Sequence, residues 1–369
     1  MLDDANRYHA GDLLCGTPYR VISLIACGGM GSVYEVEDES LGKRFALKAL
    51  HTSVTSAIET ERRMRAEARI LGRLTHPNVV QVFTAGATRD AHPVPFIVME
   101  LLVGSTLRAV IRERGGLGVR AGVRVTLDLL GALEQAHELG LVHRDIKPDN
   151  VFLHCDKRGD RTTKLLDFGV ADRLCDANRD PANFAGTFRY ASPEQVAGRP
   201  LGPTSDLYSV GLLLFEMLAG HHAFPHARGR EAIVHAHMNE SVTLPHWPEP
   251  IRAVVSSALA KEPGLRPADA WTFASRLRGA MRAMGIGAQA SACPVPAPAS
   301  NVRSAPPEAA CDRTMSSHDT LRDETFEVSR DELAGDGARR SGALASRESS
   351  TLRVVARPTA RVAIASTRR

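Results

Sequence analysis

His143-Arg144-Asp145-Ile146-Lys147-Pro148-Asp149-Asn150, followed after a short hairpin by Asp167-Phe168-Gly169, is the part of the chain from which the rest is best read. Two loop-rich stretches, 142–152 and 164–194, concentrate charged residues of the types that do chemistry. Their surroundings say what kind of scaffold holds them.

Toward the N-terminus the alternation of apolar and polar residues predicts strands over 19–25, 32–37, 44–50, 79–84 and 96–100. A helix is expected over 58–74, where Met64, Glu67, Ala68 and Leu71 fall on one face and leave a carboxylate among apolar neighbours. That carboxylate needs a cation. Lys48, which interrupts the apolar run Phe45-Ala46-Leu47-Lys48-Ala49-Leu50, is a candidate to form a buried ion pair with Glu67 and to face polyphosphate. The competing reading is a lysine snorkelling from an edge strand.

Between the first two strands lies Ile25-Ala26-Cys27-Gly28-Gly29-Met30-Gly31-Ser32-Val33. A dinucleotide-binding loop would open a helix, and this one opens a strand. Its small residues would let backbone N–H groups approach phosphate oxygens, although a tight turn has the same composition.

Beyond Thr106 the long segments read as helices: 107–114, 121–139, 205–219, 230–238 and 251–259. The apolar run Val210 to Ala219 is only about ten residues and contains Glu216, too short for the ~20 a bilayer needs, so it is expected to be a buried helix. The fold class is therefore α+β, a small strand-rich lobe followed by a larger helical one. After Met284 the composition turns to Ala, Ser, Pro and Arg with almost no aromatics, and 284–369 is expected to be a disordered tail.

Lys+Arg (46) nearly balances Asp+Glu (42), a formal net charge of +4, so no global field points to nucleic acid or an anionic membrane. Six cysteines without C-x-x-C or metal-ligand spacing are read as reduced thiols, and the acidic, polar N-terminus lacks the pattern of an export signal, which together give a cytoplasmic expectation. Among the fourteen histidines, His221-His222 and His235-x-His237 have no further ligand at suitable spacing and are read as solvated.

The loop and the Asp-Phe-Gly that follows it resemble the protein-kinase superfamily, and the similarity runs in order over almost all of 19–282. It implies a bilobal protein-kinase-like fold, with 1–18 as an N-terminal extension, 19–283 as the catalytic domain and 284–369 as the tail. It also implies ATP and Mg²⁺. Asp145 would orient the substrate hydroxyl and accept its proton, Lys147 would neutralise the γ-phosphoryl group, and Asn150 and Asp167 would be the Mg²⁺ ligands. His143 is better read as packing than as an acid or base. The Asp-Ile-Lys-Pro-Asp-Asn arrangement resembles the serine/threonine class, and Gly-Gly-Met-Gly-Ser-Val-Tyr with Ser-Pro-Glu-Gln is most similar to bacterial kinases of the eukaryotic (Hanks) type.

By the same resemblance, residues 25–33 cover the phosphates: Ile25, Ala26, Cys27, Gly28, Gly29, Met30, Gly31, Ser32 and Val33. Val33, Ala46 and Phe152 would wall the adenine slot, with Met99 as gatekeeper and backbone groups of Glu100 and Leu102 offered at the hinge. Gly186-Thr187-Phe188-Arg189-Tyr190-Ala191-Ser192-Pro193-Glu194 resembles the peptide-docking end of an activation segment. Thr187 would bond Asp145 and Lys147, Glu194 would pair with Arg266, and Asp206 would brace the catalytic-loop backbone.

Two departures stand out. Ala26 occupies the position of the first loop glycine, and 170–186 contains no Ser, Thr or Tyr, so phosphorylation cannot switch the activation segment there. Asp176 or Asp180 is expected to serve Arg144 as a permanent anion instead. Cys175 in the same segment is read as a passive thiol. Thr314, Ser316, Ser317, Thr320, Ser349, Ser350 and Thr351 are candidate autophosphorylation sites, and the basic end 347–369 is a solvated tail that regulatory partners could use. A catalytically dead scaffold would lack a key group, yet Lys48, Glu67, Asp145, Asn150 and Asp167 are all present. A small-molecule phosphotransferase would have no use for 187–194.

Overall fold

The computed structural model describes residues 8–28, 31–50, 72–90, 92–156, 158–167 and 188–286. Of the tail expected over 284–369, Met284, Gly285 and Ile286 instead close the last helix, their N–H groups bonding back to Ala280, Arg282 and Met281, and 287–369 lie outside the described residues.

Five antiparallel strands, β1 (Tyr19–Gly28), β2 (Gly31–Asp38), β3 (Lys43–Leu50), β4 (Val82–Ala87) and β5 (Pro95–Met99), form one sheet in the order β1-β2-β3-β5-β4. Cross-strand partners share a face, so the register Val33↔Lys48 and Ala46↔Met99 puts these four side chains on one side. The other side carries Tyr34, Val36, Leu47, Ala49, Phe96 and Val98, the small-lobe core. Leu14, from the segment preceding β1, is buried in that core, and Tyr8 stacks edge-on against Tyr34.

Strand β4 begins three residues later than expected. Val79 and Val80 are occupied elsewhere: Val79 bridges Leu165, and the Val80 N–H donates to the Leu165 carbonyl at 3.0 Å. The helix expected over 58–74 lies outside the described residues as far as 71, and 72–74 form a turn and loop rather than helix. Gly72 at that point disfavours a helix continuing to Leu74.

The larger lobe starts with a three-stranded sheet, β6 (Gly104–Thr106), β7 (Val151–Cys155) and β8 (Arg161–Leu165), in that order. Helices α1 (Leu107–Arg114), α2 (Gly118–Glu138), α3 (Pro193–Val196), α4 (Pro203–Ala219), α5 (Gly229–Asn239), α6 (Glu249–Ala258) and α7 (Ala270–Ala283) make up the rest. Thr106 caps α1, its Oγ1 accepting the Ala109 N–H at 3.2 Å, a contact worth about 1 kcal/mol. The apolar run singled out from sequence is the end of α4, which is buried from Ser205 to Met217 and forms the centre of the core. Helix α7 was not expected, although Ala270, Phe273, Ala274 and Leu277 recur at helical spacing behind an Asp269 cap and are all buried. No helix among the described residues is long and apolar enough to cross a membrane.

Candidate active site

The loop between α2 and β7 carries the residues with which the sequence reading began. Asp145 is held from two sides: Lys147 Nζ donates to its Oδ2 at 2.7 Å and Oδ1 at 3.0 Å, and Asn150 Nδ2 donates to Oδ2 at 2.9 Å and to the Asp145 carbonyl at 2.8 Å. With its amide nitrogen turned to Asp145, Asn150 has its Oδ1 left for another partner. Asp167, just past β8, places Oδ2 2.7 Å from Lys48 Nζ. The sheet face bearing Lys48 is thus tied to the catalytic loop's neighbourhood by a direct ion pair. Glu67, the expected partner of Lys48, lies outside the described residues.

Strain marks the same place. Arg144 (φ 69°) and Asp167 (φ 48°) are the positive-φ non-glycine residues among those described. Such conformations cost about 1–3 kcal/mol each and persist only where surroundings over-determine them. For Arg144 the surroundings are visible: Asp206, buried near the start of α4, accepts the N–H groups of His143 and Arg144, and Gln195 Nε2 donates to the Arg144 carbonyl at 2.8 Å. His143 is itself buried, its Nε2 2.9 Å from the Leu166 carbonyl and its Nδ1 accepting the Asp145 N–H at 3.2 Å. The bracing by Asp206 and the packing role of His143 match the sequence reading. His137, whose Nε2 lies 2.8 Å from Asp206 Oδ2, and Gln195 were not foreseen. Their signal in the sequence is only a histidine late in one helix and a glutamine after Ser-Pro-Glu.

Around the expected nucleotide slot, Val33, Met99 and Phe152 are half-buried and Ala46 is buried. The Glu100 N–H donates to the Gln81 carbonyl, and its carboxylate accepts from Lys164 Nζ at 2.7 Å and the Gln81 N–H at 2.8 Å, so what Glu100 can offer a purine is its carbonyl. Leu102 follows in the connection between β5 and β6. Ile25, Ala26, Cys27 and Gly28 are exposed at the end of β1, and Ser32 is buried at the start of β2. Gly29 and Met30 lie outside the described residues. Gly28 and Gly31 differ in kind. A Cβ on Gly31 would sit 2.2 Å from the Ala49 carbonyl oxygen, whereas one on Gly28 would meet nothing closer than 3.9 Å. Ala26 pairs with Val33 in the strand ladder, so its methyl is accommodated there.

The docking segment is described from Phe188 onward; Thr187 and the activation segment before it are not. Tyr190 donates its hydroxyl to Glu216 and receives Arg108 Nη2 at 2.9 Å, and its carbonyl accepts Ser209 Oγ at 2.7 Å. Burial, with Glu216 adjacent, drives the Tyr190 phenol well above its usual range, so it stays protonated as a donor. Glu194 and Arg266 form the expected pair, bidentate at 2.7 and 2.8 Å, with Ser205 Oγ donating to Glu194 as well. The histidines read as solvated are divided: His221 and His235 reach the surface, whereas His222 and His237 are buried. His226 and His235 both bond Glu240, at 2.7 and 3.2 Å.

Mg²⁺ favours hard oxygen ligands, and the Asn150 Oδ1 with the Asp167 carboxylate supplies that donor set. The residues present therefore fit the cation the sequence suggested, and the apolar Val33–Ala46–Met99 surface beside Lys48 fits a purine with its phosphates.

The protein kinase domain model matches residues 19–275. The serine/threonine-protein kinase PksC of Streptomyces coelicolor is 37% identical over 277 residues, 72% of this chain and 49% of its own length. A probable serine/threonine-protein kinase, PknB of Bifidobacterium longum, is 34% identical over 274 residues, 70% of this chain and 39% of its own length. The chain thus spans half or less of the length of these relatives. Among solved structures, the Mycobacterium tuberculosis PknI kinase domain superposes with a TM-score of 0.56 at 25% identity, covering 74% of this chain and 99% of its own. Catalytic-loop geometry, two-lobed architecture and these similarities agree, and the chain belongs to the protein kinase domain family.

Proposed function

We propose that this chain is a serine/threonine protein kinase that transfers the γ-phosphoryl group of ATP to Ser or Thr hydroxyls of proteins, its own tail included. The observation that carries the reading is the Asp145 carboxylate, held by Lys147 and Asn150 while Lys48 and Asp167 meet beside it.

Asp145 would orient an acceptor hydroxyl and take its proton as the oxygen attacks phosphorus. Two of the ammonium hydrogens of Lys147 are directed to Asp145, which leaves the third for a γ-phosphoryl oxygen. Lys48 would steady the α- and β-phosphates, beneath the hairpin that Gly28 leaves open. Val33, Ala46, Met99 and Phe152 would enclose the adenine, with Glu100 and Leu102 backbone groups at its edge. Mg²⁺, when bound, supplies neutralisation of the phosphate charge, and Asn150 and Asp167 would hold it. Thr187 would complete the contact between Asp145, Lys147 and the docking segment. The catalytic domain is taken as 19–283, and the tail after it as a site for regulatory partners. The co-substrate is intracellular, and Cys15 and Cys155 are free thiols, which supports a cytoplasmic site of action.

The test is transfer of labelled γ-phosphate from ATP with Mg²⁺ to the protein itself and to a generic basic protein, comparing wild type with Asp145→Asn. Label on Ser or Thr in the wild type alone supports the reading. Bound ATP with no label from either would point instead to a nucleotide-dependent scaffold.

A further inference from the structure

Two histidines with no part in the transfer converge on one backbone atom. The Arg189 carbonyl, inside the docking segment, lies 2.6 Å from His222 Nε2 and 3.1 Å from His237 Nε2. They reach it from different places: His222 follows the end of α4, and His237 sits in the last turn of α5. Both are buried.

A carbonyl only accepts, so each ring must carry a proton on Nε2 to bond there. The two Nδ1 atoms then act as acceptors, and each has a donor. His222 Nδ1 takes the Phe224 N–H at 3.1 Å, and His237 Nδ1 takes the Tyr208 hydroxyl at 3.1 Å. One neutral tautomer of both rings therefore satisfies all four bonds. A second proton on His222 would face the Phe224 N–H. A second proton on His237 would add charge where Lys261 already stands over the Tyr208 and Phe224 rings. Burial pushes both imidazoles down, His237 to about 3, with the other histidine and Lys261 acting in the same direction on His237. The remaining charges nearby, Arg189 and Glu216, act on His222 in opposite senses.

The bonded carbonyl defines the peptide plane between Arg189 and Tyr190, and the Tyr190 side chain is anchored at once to Glu216 and Arg108. The path of the docking segment is therefore set by contacts to the helical lobe. None of these contacts needs a phosphate in 170–186, which has no residue to carry one.

We propose that His222 and His237 are positioning residues for the protein substrate, a neutral two-imidazole clamp that fixes the Arg189 carbonyl and with it the peptide-docking surface. The inference rests on the protein-kinase reading, so it is tested in two independent ways.

The first uses the full chain with a Ser-containing peptide that the wild type phosphorylates. His222→Ala and His237→Ala should each raise the peptide KM about tenfold or more, with the KM for ATP and the ATPase rate without peptide within twofold. His222→Gln and His237→Gln, which keep an N–H of similar reach, should recover most of the loss. An unchanged peptide KM in the folded alanine variants, or an equal rise in both KM values, overturns the clamp. The second is the nitrogen-15 spectrum of the histidine rings in the wild-type chain. Both rings should appear as neutral Nε2–H tautomers from about pH 6 to 8. Titration of either ring in that range, or a proton on Nδ1, overturns the clamp even if the chain proves inactive, whereas an inactive chain with both tautomers as stated would count against the kinase reading alone.

Discussion

Asp206 sets its two carboxylate oxygens against consecutive peptide groups, Oδ2 accepting the His143 N–H at 2.8 Å and Oδ1 the Arg144 N–H at 2.9 Å. This places a buried charge where the backbone is least comfortable, since Arg144 is left-handed at φ 69°. Hydrogen bonds to a charged acceptor contribute about 1.5–3 kcal/mol, enough to offset a strained residue. Asparagine at this position could satisfy one N–H and would turn its own donor toward the other. Asp206→Asn is therefore expected to lower kcat ten- to a hundredfold while ATP affinity, measured by calorimetry, stays within twofold. An unchanged kcat would mean that the loop holds its shape without the brace.

The Glu194–Arg266 pair makes a prediction about acid. Burial alone would raise the Glu194 carboxyl, but the bonds from Arg266 and Ser205 outweigh it and hold the group at about 2, below its ordinary 4.5. A depressed carboxyl stabilises the fold fully above the unfolded value, and the contribution is lost as pH falls from 4.5 toward 2. That shift corresponds to about 3 kcal/mol. Glu194→Gln leaves Arg266 charged and buried without its partner, so at pH 7 it should cost roughly 3–5 kcal/mol in urea unfolding. The deficit should narrow as the wild type is acidified through this window. A deficit independent of pH would show that packing, not charge, holds the site.

Gly28 and Gly31 should separate binding from folding. Gly31→Ala would force a methyl against the Ala49 carbonyl at 2.2 Å, so β2 and β3 must part and the melting temperature should fall by several degrees. Gly28→Ala meets open space and should leave melting unchanged while raising the KM for ATP about three- to tenfold, because the methyl intrudes on the side where phosphates would lie. If both variants melted alike and bound ATP alike, the hairpin would be a turn and nothing more.

Much of this architecture could be read in the residues, for identifiable reasons. Short apolar-rich segments between polar or glycine-containing breaks made β1, β2, β3 and β5 legible, and α1 was bounded by the Thr106 cap and Gly115. What escaped depended on long-range competition. Val79 and Val80 have strand composition, yet the Val79 N–H goes to the His76 carbonyl and the Val80 N–H to the Leu165 carbonyl, which moved β4 along the chain. His222 and His237 read as surface residues because a histidine pair has no local pattern; only the fold reveals that both reach one carbonyl. The Lys48–Asp167 contact likewise joins residues far apart in sequence, which no periodicity can show.

Arg144 gives the last prediction. Its Nε is buried with no hydrogen-bond partner among the described residues. A buried guanidinium nitrogen left unpaired costs about 1–3 kcal/mol or more, so an acceptor is expected from the part of the chain not described. The activation segment 170–186 can supply Asp176 or Asp180 but no phosphate, having no hydroxyl residue. A carboxylate there would act as a permanent substitute, and the enzyme would be active as synthesised. Asp176→Asn with Asp180→Asn should therefore lower kcat about tenfold or more, and phosphatase treatment of the wild type should leave its rate unchanged. If removing both charges had no effect on the rate, Arg144 would be satisfied by another group and the segment would be switched by other means.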